Sequence, residues 1–255
     1  MAGTNHRVFA IQYAHRDTNS SECFHGDYRR EPMTMDYFVW ALSDGARTVV
    51  VDLGFTEPVA ARRGRQFLRS PADGLRQIGV DPDRVEHVII THFHYDHTGN
   101  HAAFPSATFI VQESEMAFCT GPLASAGAFR HSLEADDLHA LLDLNFAGRL
   151  AFVNGDAEVV PGVRVHHVGG HTAGMQIVSV ATERGTAVLT SDASHYYQNF
   201  EARRPFNTLH DLPGAYAAFR RIRELASASD LILPGHDPLV LKRLKPVAPG
   251  IVELV

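Results

Sequence analysis

The chain has 255 residues and a formal net charge of -6 at pH 7, with 45% hydrophobic and 20% charged residues. This length and composition are those of a folded globular protein that can bury a sizeable core. The acidic balance argues against a nucleic-acid partner, because phosphate binding requires a clustered basic face. The sequence also contains 16 histidines. Because histidine is the commonest metal ligand, their positions along the chain need to be explained.

The cysteines and the N-terminal segment bear on the location of the protein. Cys23 and Cys119 lie far apart and form no Cys-x-x-Cys pair, which is typical of a reducing compartment. Residues 1–17 contain no apolar run longer than residues 8–11, and this is too short for the apolar part of a signal peptide. No later stretch approaches the roughly 20 apolar residues of a membrane span. We therefore expect a cytoplasmic protein with no membrane partner.

The first half of the chain contains both strands and helices. Two β-rich runs at 37–42 and 48–52 flank an Asp-Gly turn, which predicts a hairpin. Residues 64–79 have helical spacing, although Pro71 must begin or interrupt a helix there. The other elements predicted in this half are a buried strand at 85–91, a strand at 107–112, and helices at 113–120 and 133–144.

The second half returns to strands. A helix is predicted at 213–228, with proline at its first position. Two batches of strands with helices between and after them predict two sheets, each covered by helices on its outer face. The strands predicted in this half lie at 150–153, 157–160, 163–168, 176–181, 186–190 and 231–233.

A cluster of metal-binding residue types, His-Phe-His-Tyr-Asp-His, follows the strand predicted at 85–91. In extended geometry His92 and His94 point to the same side, and Asp96 and His97 follow within one turn of chain. Four nitrogen and carboxylate donors in six residues suit two adjacent borderline cations such as zinc. The alternative is a solvated loop that happens to be rich in histidine. Further donors that follow other predicted strands argue against it.

Three such donors are His171, Asp192 and His236, which lie at the ends of predicted strands beside small or turn residues. Small residues let a metal approach the backbone closely. Each donor alone is equally compatible with a cap or a satisfied surface group. Together with the cluster they make seven donors, as two four- to five-coordinate metals need if one carboxylate bridges. We predict two divalent ions, with zinc as the first choice; iron, cobalt and manganese can use the same ligands.

The pattern His-x-His-x-Asp-His at 92–97, followed by His171, Asp192 and His236, resembles the metallo-β-lactamase superfamily. The resemblance covers nearly the whole chain, from the turn at 51–54 to residue 237. It implies one α/β domain over residues 1–255, a four-layer αββα sandwich with the metals at the sheet edges. In such a site one metal is held by His92, His94 and His171, the second by Asp96, His97 and His236, and both by Asp192 as a bridge.

The chemistry of such a site is hydrolytic. Two cations about 3.5–4 Å apart lower the pKa of a shared water towards neutrality and polarise a carbonyl group. Asp96 can accept a proton from the nucleophile and pass it to the leaving group. The predicted reaction is hydrolysis of an activated ester, lactone, thioester or amide, and a redox variant of the site is the minority alternative.

Residues 192–201, with Pro205 and Phe206, are similar to the stretch after the bridging aspartate in N-acyl homoserine lactonases. Those quorum-quenching enzymes open the lactone ring of bacterial signals. They carry a tyrosine three residues after the aspartate, where its hydroxyl meets the substrate carbonyl, and this chain has His195 there. Either His195 donates the same hydrogen bond, or Tyr196 takes that part, or His195 only fills space. We predict opening of a lactone ring, with N-acyl homoserine lactones as the first substrate class.

Two other hypotheses stay open. One is a catabolic hydrolase for another cyclic ester, lactam, imide or small ester, in which His195 tunes the pocket. The other is a non-enzymatic metal-binding domain, against which the complete ligand set and Asp96 argue. Thioester hydrolases of the glyoxalase II type, secreted β-lactamases, nucleic-acid enzymes and diiron flavoproteins fit less well. Each of these classes normally has a feature that this sequence does not show. In the same order, the features are a helical domain, an export signal, a basic charge and a flavin domain. We expect a small-molecule substrate, and a homodimer is compatible with the sequence.

Apolar residues between 118 and 146 recur at helical spacing. Such a stripe usually packs into a core. The alternative is a helical cover over the metals, which would give an acyl chain a surface on which to lie. Trp40 is expected in the core.

Overall fold

The computed structural model describes residues 4–255, and within them nine strands form one sheet and five form another. The strands are β1 (Arg7–Asn19), β2 (Pro32–Ser43), β3 (Thr48–Val51), β4 (Gln66–Phe67), β5 (His87–Ile89), β6 (Thr108–Gln112), β7 (Leu150–Val153), β8 (Ala157–Val160), β9 (Val163–His167), β10 (Gln176–Thr182), β11 (Gly185–Ser191), β12 (Ile232–Pro234), β13 (Lys245–Ala248) and β14 (Ile251–Leu254). The helices are α1 (Ser20–Cys23), α2 (Glu57–Arg63), α3 (Pro71–Gln77), α4 (Tyr95–Thr98), α5 (Glu113–Cys119), α6 (Gly127–Arg130), α7 (Ala135–Phe146), α8 (Tyr197–Glu201), α9 (Leu212–Leu225) and α10 (Leu239–Arg243). Short 3-10 turns lie at Pro82–Arg84, His101–Ala103, Pro122–Ser125 and Ser229–Leu231.

The first sheet has the strand order β13-β14-β1-β2-β3-β5-β6-β7, with β4 paired to β1. Strands β3, β5, β6 and β7 are parallel, so their C-terminal ends lie at one edge. The predicted hairpin is confirmed, since β2 and β3 pair antiparallel with Trp40 opposite Val51. The second sheet has the order β12-β11-β10-β9-β8, in which β11 and β12 are parallel.

The two sheets and their helices form four layers. Successive side chains of a strand point to opposite faces. Val49 and Val51 of β3 therefore lie in the core between the sheets, and Val50 lies in the core on the other face. Leu75 of α3 is buried in that outer core, and Ile222 of α9 is buried where α9 packs against β11. The predicted αββα sandwich is confirmed.

Three strands at the chain ends, β1, β13 and β14, are not predicted by the sequence pattern. β1 shifts register between Gln12 and Ala14, which breaks the alternation that identifies a strand. The helix predicted within 64–79 is confined to α3. It begins at Pro71, and Ser70 accepts a hydrogen bond from the Asp73 backbone as its cap, because proline is tolerated only in the first turn. Across residues 4–255 no helix is both long and apolar enough to cross a membrane.

A buried glutamine joins the second sheet to the segment that carries the histidine cluster. Gln176 of β10 is fully buried, and its backbone N–H donates to the Thr91 carbonyl at 3.0 Å. Its side-chain Nε2 donates to the Ile90 carbonyl at 2.8 Å, and its Oε1 accepts from Gln112 Nε2 at 2.9 Å. Since Thr91 directly precedes His92, these bonds hold the start of the cluster against the second sheet.

Replacement of this glutamine by leucine tests the connection. Gln176→Leu keeps the side-chain size but leaves the Ile90 carbonyl and the Gln112 amide without these partners. We expect the free energy of unfolding to fall by about 2–4 kcal/mol, since each buried unsatisfied group costs about 1–3 kcal/mol. Equilibrium urea unfolding measures it. Gln198→Leu, at an exposed position of α8, should change stability by less than about 0.5 kcal/mol. Equal stability of both variants would contradict the interpretation.

Candidate metal centre

The seven predicted donors lie where ends of strands from the two sheets meet. β5 of the first sheet precedes the histidine cluster, whereas the later donors follow strands of the second sheet. Each of the seven side chains is buried. In chain order, His92 and His94 lie in the loop before α4, Asp96 and His97 in α4, His171 in the loop after β9, Asp192 directly after β11, and His236 after β12.

The structure brings these side chains together as two groups that share one member. Within each group the ligand atoms all lie within 4.8 Å of one another. Ligands at about 2.0–2.2 Å from a common zinc ion are spaced in this range. The first group is His92, His94, His171 and Asp192, and the second is Asp96, His97, Asp192 and His236.

Asp192 faces both groups with different oxygens. Its Oδ2 lies 3.2 Å from His171 Nε2 and 3.7 Å from His92 Nε2. Its Oδ1 lies 2.9 Å from His236 Nε2 and 3.3 Å from His97 Nε2. One carboxylate oxygen for each group is the arrangement that a bridging ligand between two ions requires.

Buried atoms without partners show that the groups fit metal ions. Nε2 of His92 and Nε2 of His97 are buried and have no hydrogen-bond partner in the described part of the chain. Buried polar atoms are normally satisfied, so these two nitrogens are placed to bind a metal ion between the side chains of their groups. Burial, with neighbouring histidines, holds the pKa values of His92 and His94 well below their ordinary value. Both imidazoles are therefore neutral, which is the form that binds a metal.

Backbone carbonyls orient two of the later histidines. His171 Nδ1 lies 2.9 Å from the Thr208 carbonyl, and His236 Nδ1 lies 2.8 Å from the Asp36 carbonyl. A carbonyl can only accept, so each Nδ1 carries the proton and each Nε2 presents its lone pair to the donor groups. Such outer contacts fix the tautomer and the ring orientation of metal-binding histidines.

Asp52 orients a third histidine, a role that the sequence pattern does not indicate. Its Oδ2 lies 2.8 Å from His97 Nδ1, and its Oδ1 accepts from the backbone N–H and the hydroxyl of Thr91 at 2.8 and 2.9 Å. The backbone of Asp52 is left-handed, with φ 64°, which aspartate tolerates better than most residues. A single carboxylate directly after the apolar strand β3 has no spacing that relates it to His97, so the sequence carries no signal for this role.

His195 and Tyr196, the two candidates for the substrate carbonyl, have different surroundings. His195 stacks on Phe206 with ring centroids 3.5 Å apart, and its Nε2 lies 2.9 Å from Asp192 Oδ2. Burial lowers the pKa of His195 to about 3, so the ring is neutral at pH 7. The Tyr196 hydroxyl donates to the Thr34 carbonyl at 2.9 Å. The structure thus brings His195 into the site and directs the Tyr196 hydroxyl away from it.

A cavity of about 310 Å³ opens beside the two donor groups. The segment predicted as a possible helical cover contributes His131 and Ser132 to its lining. Leu133 and Leu141 of that segment are buried in the outer core instead, and Trp40 lies in the core between the sheets, as expected. Besides members of the two donor groups, the lining includes Arg16, Glu22, Met35, Tyr37, Arg63, Arg65, Tyr95, His195, Phe206, Asn207 and Thr208.

The fold and the paired donor groups agree with comparisons to known proteins. A family model described as the metallo-beta-lactamase superfamily matches residues 32–238, and the chain belongs to this superfamily.

Among individual proteins, the chain is 34% identical over 165 residues to an N-acyl homoserine lactonase of a Bacillus species. This similarity covers 64% of the chain and 60% of that relative. The chain thus matches less than two thirds of the relative's length. Among solved structures, a quorum-quenching N-acyl homoserine lactone lactonase has a TM-score of 0.81 at 24% identity, covering 99% of this chain and all of that one. The dizinc lactonase AidC, in complex with a product, has a TM-score of 0.70 at 15% identity, covering 100% and 95%.

The contact between Asp52 and His97 predicts a selective loss of metal affinity. Asp52→Asn keeps the shape and tolerates the left-handed backbone, but it removes the negative charge that faces His97 Nδ1. We expect two ions per chain in the wild type, and about 10- to 100-fold weaker binding of one of them in the variant. Metal analysis combined with competition against a coloured chelator measures both.

Asp83→Asn, at an exposed position, is the matched control and should bind both ions as the wild type does. Fewer than two ions in fully folded, metal-loaded wild type would contradict the model of two ions. Equal affinities for Asp52→Asn and Asp83→Asn would contradict the orienting role of Asp52.

Proposed function

We propose that the chain is a hydrolase that uses two divalent metal ions to open a lactone ring. The observation that carries this proposal is Asp192, whose two oxygens face the two donor groups beside a single cavity. The N-acyl homoserine lactonase relatives support a lactone as the substrate and make N-acyl homoserine lactones the first class to test. Zinc is the proposed metal, because it accepts mixed nitrogen and carboxylate ligands and because AidC is a dizinc lactonase.

The residues of the chain have distinct parts in this reaction. When bound, the two cations would supply a water nucleophile of lowered pKa and polarise the lactone carbonyl. Asp96 lines the cavity, and its Oδ2 lies 3.7 Å from His97 Nε2 and 3.8 Å from His236 Nε2. In this position Asp96 accepts the proton that the attacking water loses and returns it to the ring oxygen as the bond to that oxygen breaks.

His195 is the proposed contact for the substrate carbonyl. It lines the cavity, and its Nε2 faces Asp192 at 2.9 Å. The stack on Phe206 holds the ring in place, and an N–H at Nε2 would be shared between Asp192 and the carbonyl oxygen of a substrate bound beside it. A fixed donor at this point stabilises the negative charge that develops on the carbonyl oxygen. Tyr196 is not assigned a catalytic part, because its hydroxyl bonds to Thr34.

A hydrolase of another cyclic ester is the second candidate function. It is favoured by the lining of the cavity, which contains three arginines and two tyrosines. An apolar acyl chain gains little from such a surface, whereas a small polar ring can hydrogen-bond to it.

We also propose that residues 1–255 form one domain and that the protein acts in the cytoplasm on a small molecule. Both sheets contribute to one core, and Cys23 and Cys119 are buried free thiols, which are common in reducing compartments. A stable fragment after limited proteolysis would contradict the single domain. Recovery of the protein outside the cytoplasmic fraction of its host would contradict the location.

Substitutions of two ligands separate the chemistry from metal binding. Asp96→Asn can still coordinate through its amide oxygen but cannot carry a proton. We expect it to largely keep its metal and to lose about 10²–10⁴-fold in kcat for lactone opening. His92→Ala should lose both metal and turnover. Metal analysis and a pH-indicator assay with short- and long-chain lactones measure these effects.

His139→Ala, at an exposed position of α7, is the histidine control and should keep metal and activity. If metal-loaded wild type opens none of the lactones while it hydrolyses another ester class readily, the lactonase proposal fails. If it hydrolyses no ester at all, the non-enzymatic hypothesis is favoured.

The proposed role of His195 is tested with two aromatic substitutions. His195→Phe preserves the stack on Phe206 but removes the N–H, so we expect kcat to fall about 10²-fold with little change in KM and no loss of metal. His195→Tyr restores the residue type of the lactonase pattern and should recover part of the activity. Unchanged kcat in His195→Phe would show that the ring only fills space.

A further inference from the structure

Part of the cavity lining consists of polar side chains that the reaction does not use. Arg16 of β1, Tyr37 of β2, Arg65 after α2 and Tyr95 of α4 line the same cavity as the donor groups. The rings of Tyr37 and His236 have centroids 5.2 Å apart, so this polar lining begins directly beside the second donor group. In a cavity of about 310 Å³, which is small for a ligand site, a substrate that reaches the metals also meets these side chains.

The two tyrosine hydroxyls carry a proton with no protein acceptor. Arg65 Nε donates to the Tyr95 hydroxyl at 3.1 Å, and the Tyr95 and Tyr37 hydroxyl oxygens are 3.2 Å apart. Each hydroxyl has one proton, and the contact between them uses only one of the two. No acceptor for the other is found among the described residues. Both tyrosines are buried. The O–H without an acceptor can therefore donate a hydrogen bond to an oxygen of a substrate in the cavity.

The guanidinium group of Arg65 has no carboxylate partner. Its hydrogen bonds go to the Tyr95 hydroxyl and to the Arg63 carbonyl, the latter at 2.7 Å. Within the described chain no Asp or Glu oxygen lies within 4.0 Å of it. Asp96 is near enough to favour the charge of Arg65, but a half-buried cation whose free N–H groups contact no carboxylate is still costly. An anion in the cavity would offset this cost through charge-assisted hydrogen bonds.

The other two arginines of the lining, Arg16 and Arg63, each have a carboxylate partner. Arg16 pairs with Glu22 at 3.1 Å, but its Nε is buried without a partner. Arg63 is tied to a carboxylate and to the backbone, since its Nε donates to Glu134 at 2.8 Å and its other nitrogens donate to backbone carbonyls of the loop before α7. Arg63 therefore holds that loop in place and has Glu134 as its partner, whereas Arg65 contacts no carboxylate among the described residues.

We propose that Arg65 and the Tyr37–Tyr95 hydroxyl pair, with Arg16 beside them, form a subsite for a carboxylate of the substrate. The substrate class is then a small lactone that bears a carboxylate. A long acyl chain in this position would cover the Arg65 charge without supplying a partner for it. The assignment rests on the proposed lactone hydrolysis and specifies its substrate.

A matched pair of substrates tests the proposal. One is a γ-lactone with a carboxylate on the ring carbon next to the ring oxygen, and the other is the methyl ester of that carboxylate. Both present the same ring to the metals; the ester lacks the negative charge and carries one additional methyl group. We expect the metal-loaded wild type to have at least about 10-fold higher kcat/KM for the carboxylate, because hydrogen bonds to a charged group are the strong ones. A preference for the methyl ester, or for N-hexanoyl homoserine lactone, would overturn the proposal.

Substitution of Arg65 shows which residue is responsible for that preference. Arg65→Met should lower kcat/KM for the carboxylate by about 10- to 100-fold, mainly through KM, and change the methyl ester by less than about 2-fold. Arg65→Lys should recover part of the loss, and Tyr95→Phe should weaken binding of the carboxylate less than Arg65→Met does. Arg76→Met removes an exposed arginine paired with Asp73 and is the control. An equal loss for both substrates in Arg65→Met would indicate a structural role only.

A binding measurement separates this proposal from the proposed function. Glutarate carries two carboxylates, and monomethyl glutarate carries one; calorimetry compares their binding to metal-loaded wild type and Arg65→Met. Tighter glutarate binding that is lost in Arg65→Met supports the subsite even if no lactone is hydrolysed. Equal affinities of wild type and Arg65→Met for glutarate overturn the subsite even if lactones are opened.

Discussion

The site depends on one buried carboxylate that is surrounded by histidines from both sheets. Asp192 follows β11 in the second sheet, yet His92 and His97 come from the loop and helix after β5 in the first. The neighbouring histidines hold the pKa of Asp192 well below its ordinary value, although burial alone would raise it. A buried charge is tolerated only with close partners. The packing of one sheet on the other therefore has to be accurate enough to keep each carboxylate oxygen of Asp192 in contact with its own group.

Buried hydrogen bonds between the segments that carry the donor residues keep the two sheets in this relative position. Glu115 of α5 accepts from the Phe93 backbone N–H at 2.9 Å and from the Gly174 backbone N–H at 2.7 Å. One carboxylate thus ties the histidine cluster to the loop that follows His171. A side chain at position 174 would not fit, since a Cβ there would lie 2.3 Å from the Glu115 backbone nitrogen. Rigid support of this kind is what a preorganised metal site needs, because ligand geometry is set by the residues around the ligands.

The sequence predicts the parts of this molecule whose signals are local. The hairpin of β2 and β3 follows from its Asp-Gly turn, and the cluster at 92–97 is contiguous. By contrast, β1 is recognised only through its pairing with β2 and β14, because a bulge interrupts its alternation. Asp52 and Glu115 lie far along the chain from the histidines they support, and an isolated carboxylate has no spacing that marks it. Their roles follow from tertiary contacts alone.

The reaction class and the substrate also differ in how far local sequence signals predict them. Ligands for two ions must be of a few residue types at strand ends, so their pattern is strongly constrained and visible in the sequence. The groups that meet the rest of the substrate are under no such common constraint. Arg65 and Tyr37 come from unconnected segments, and Tyr95 lies inside the ligand motif at a position the motif leaves open. Their joint polarity becomes evident only once the fold places them in one cavity. A family pattern can therefore suggest a reaction class, while the substrate has to be inferred from the charge and the hydrogen-bonding groups of the cavity.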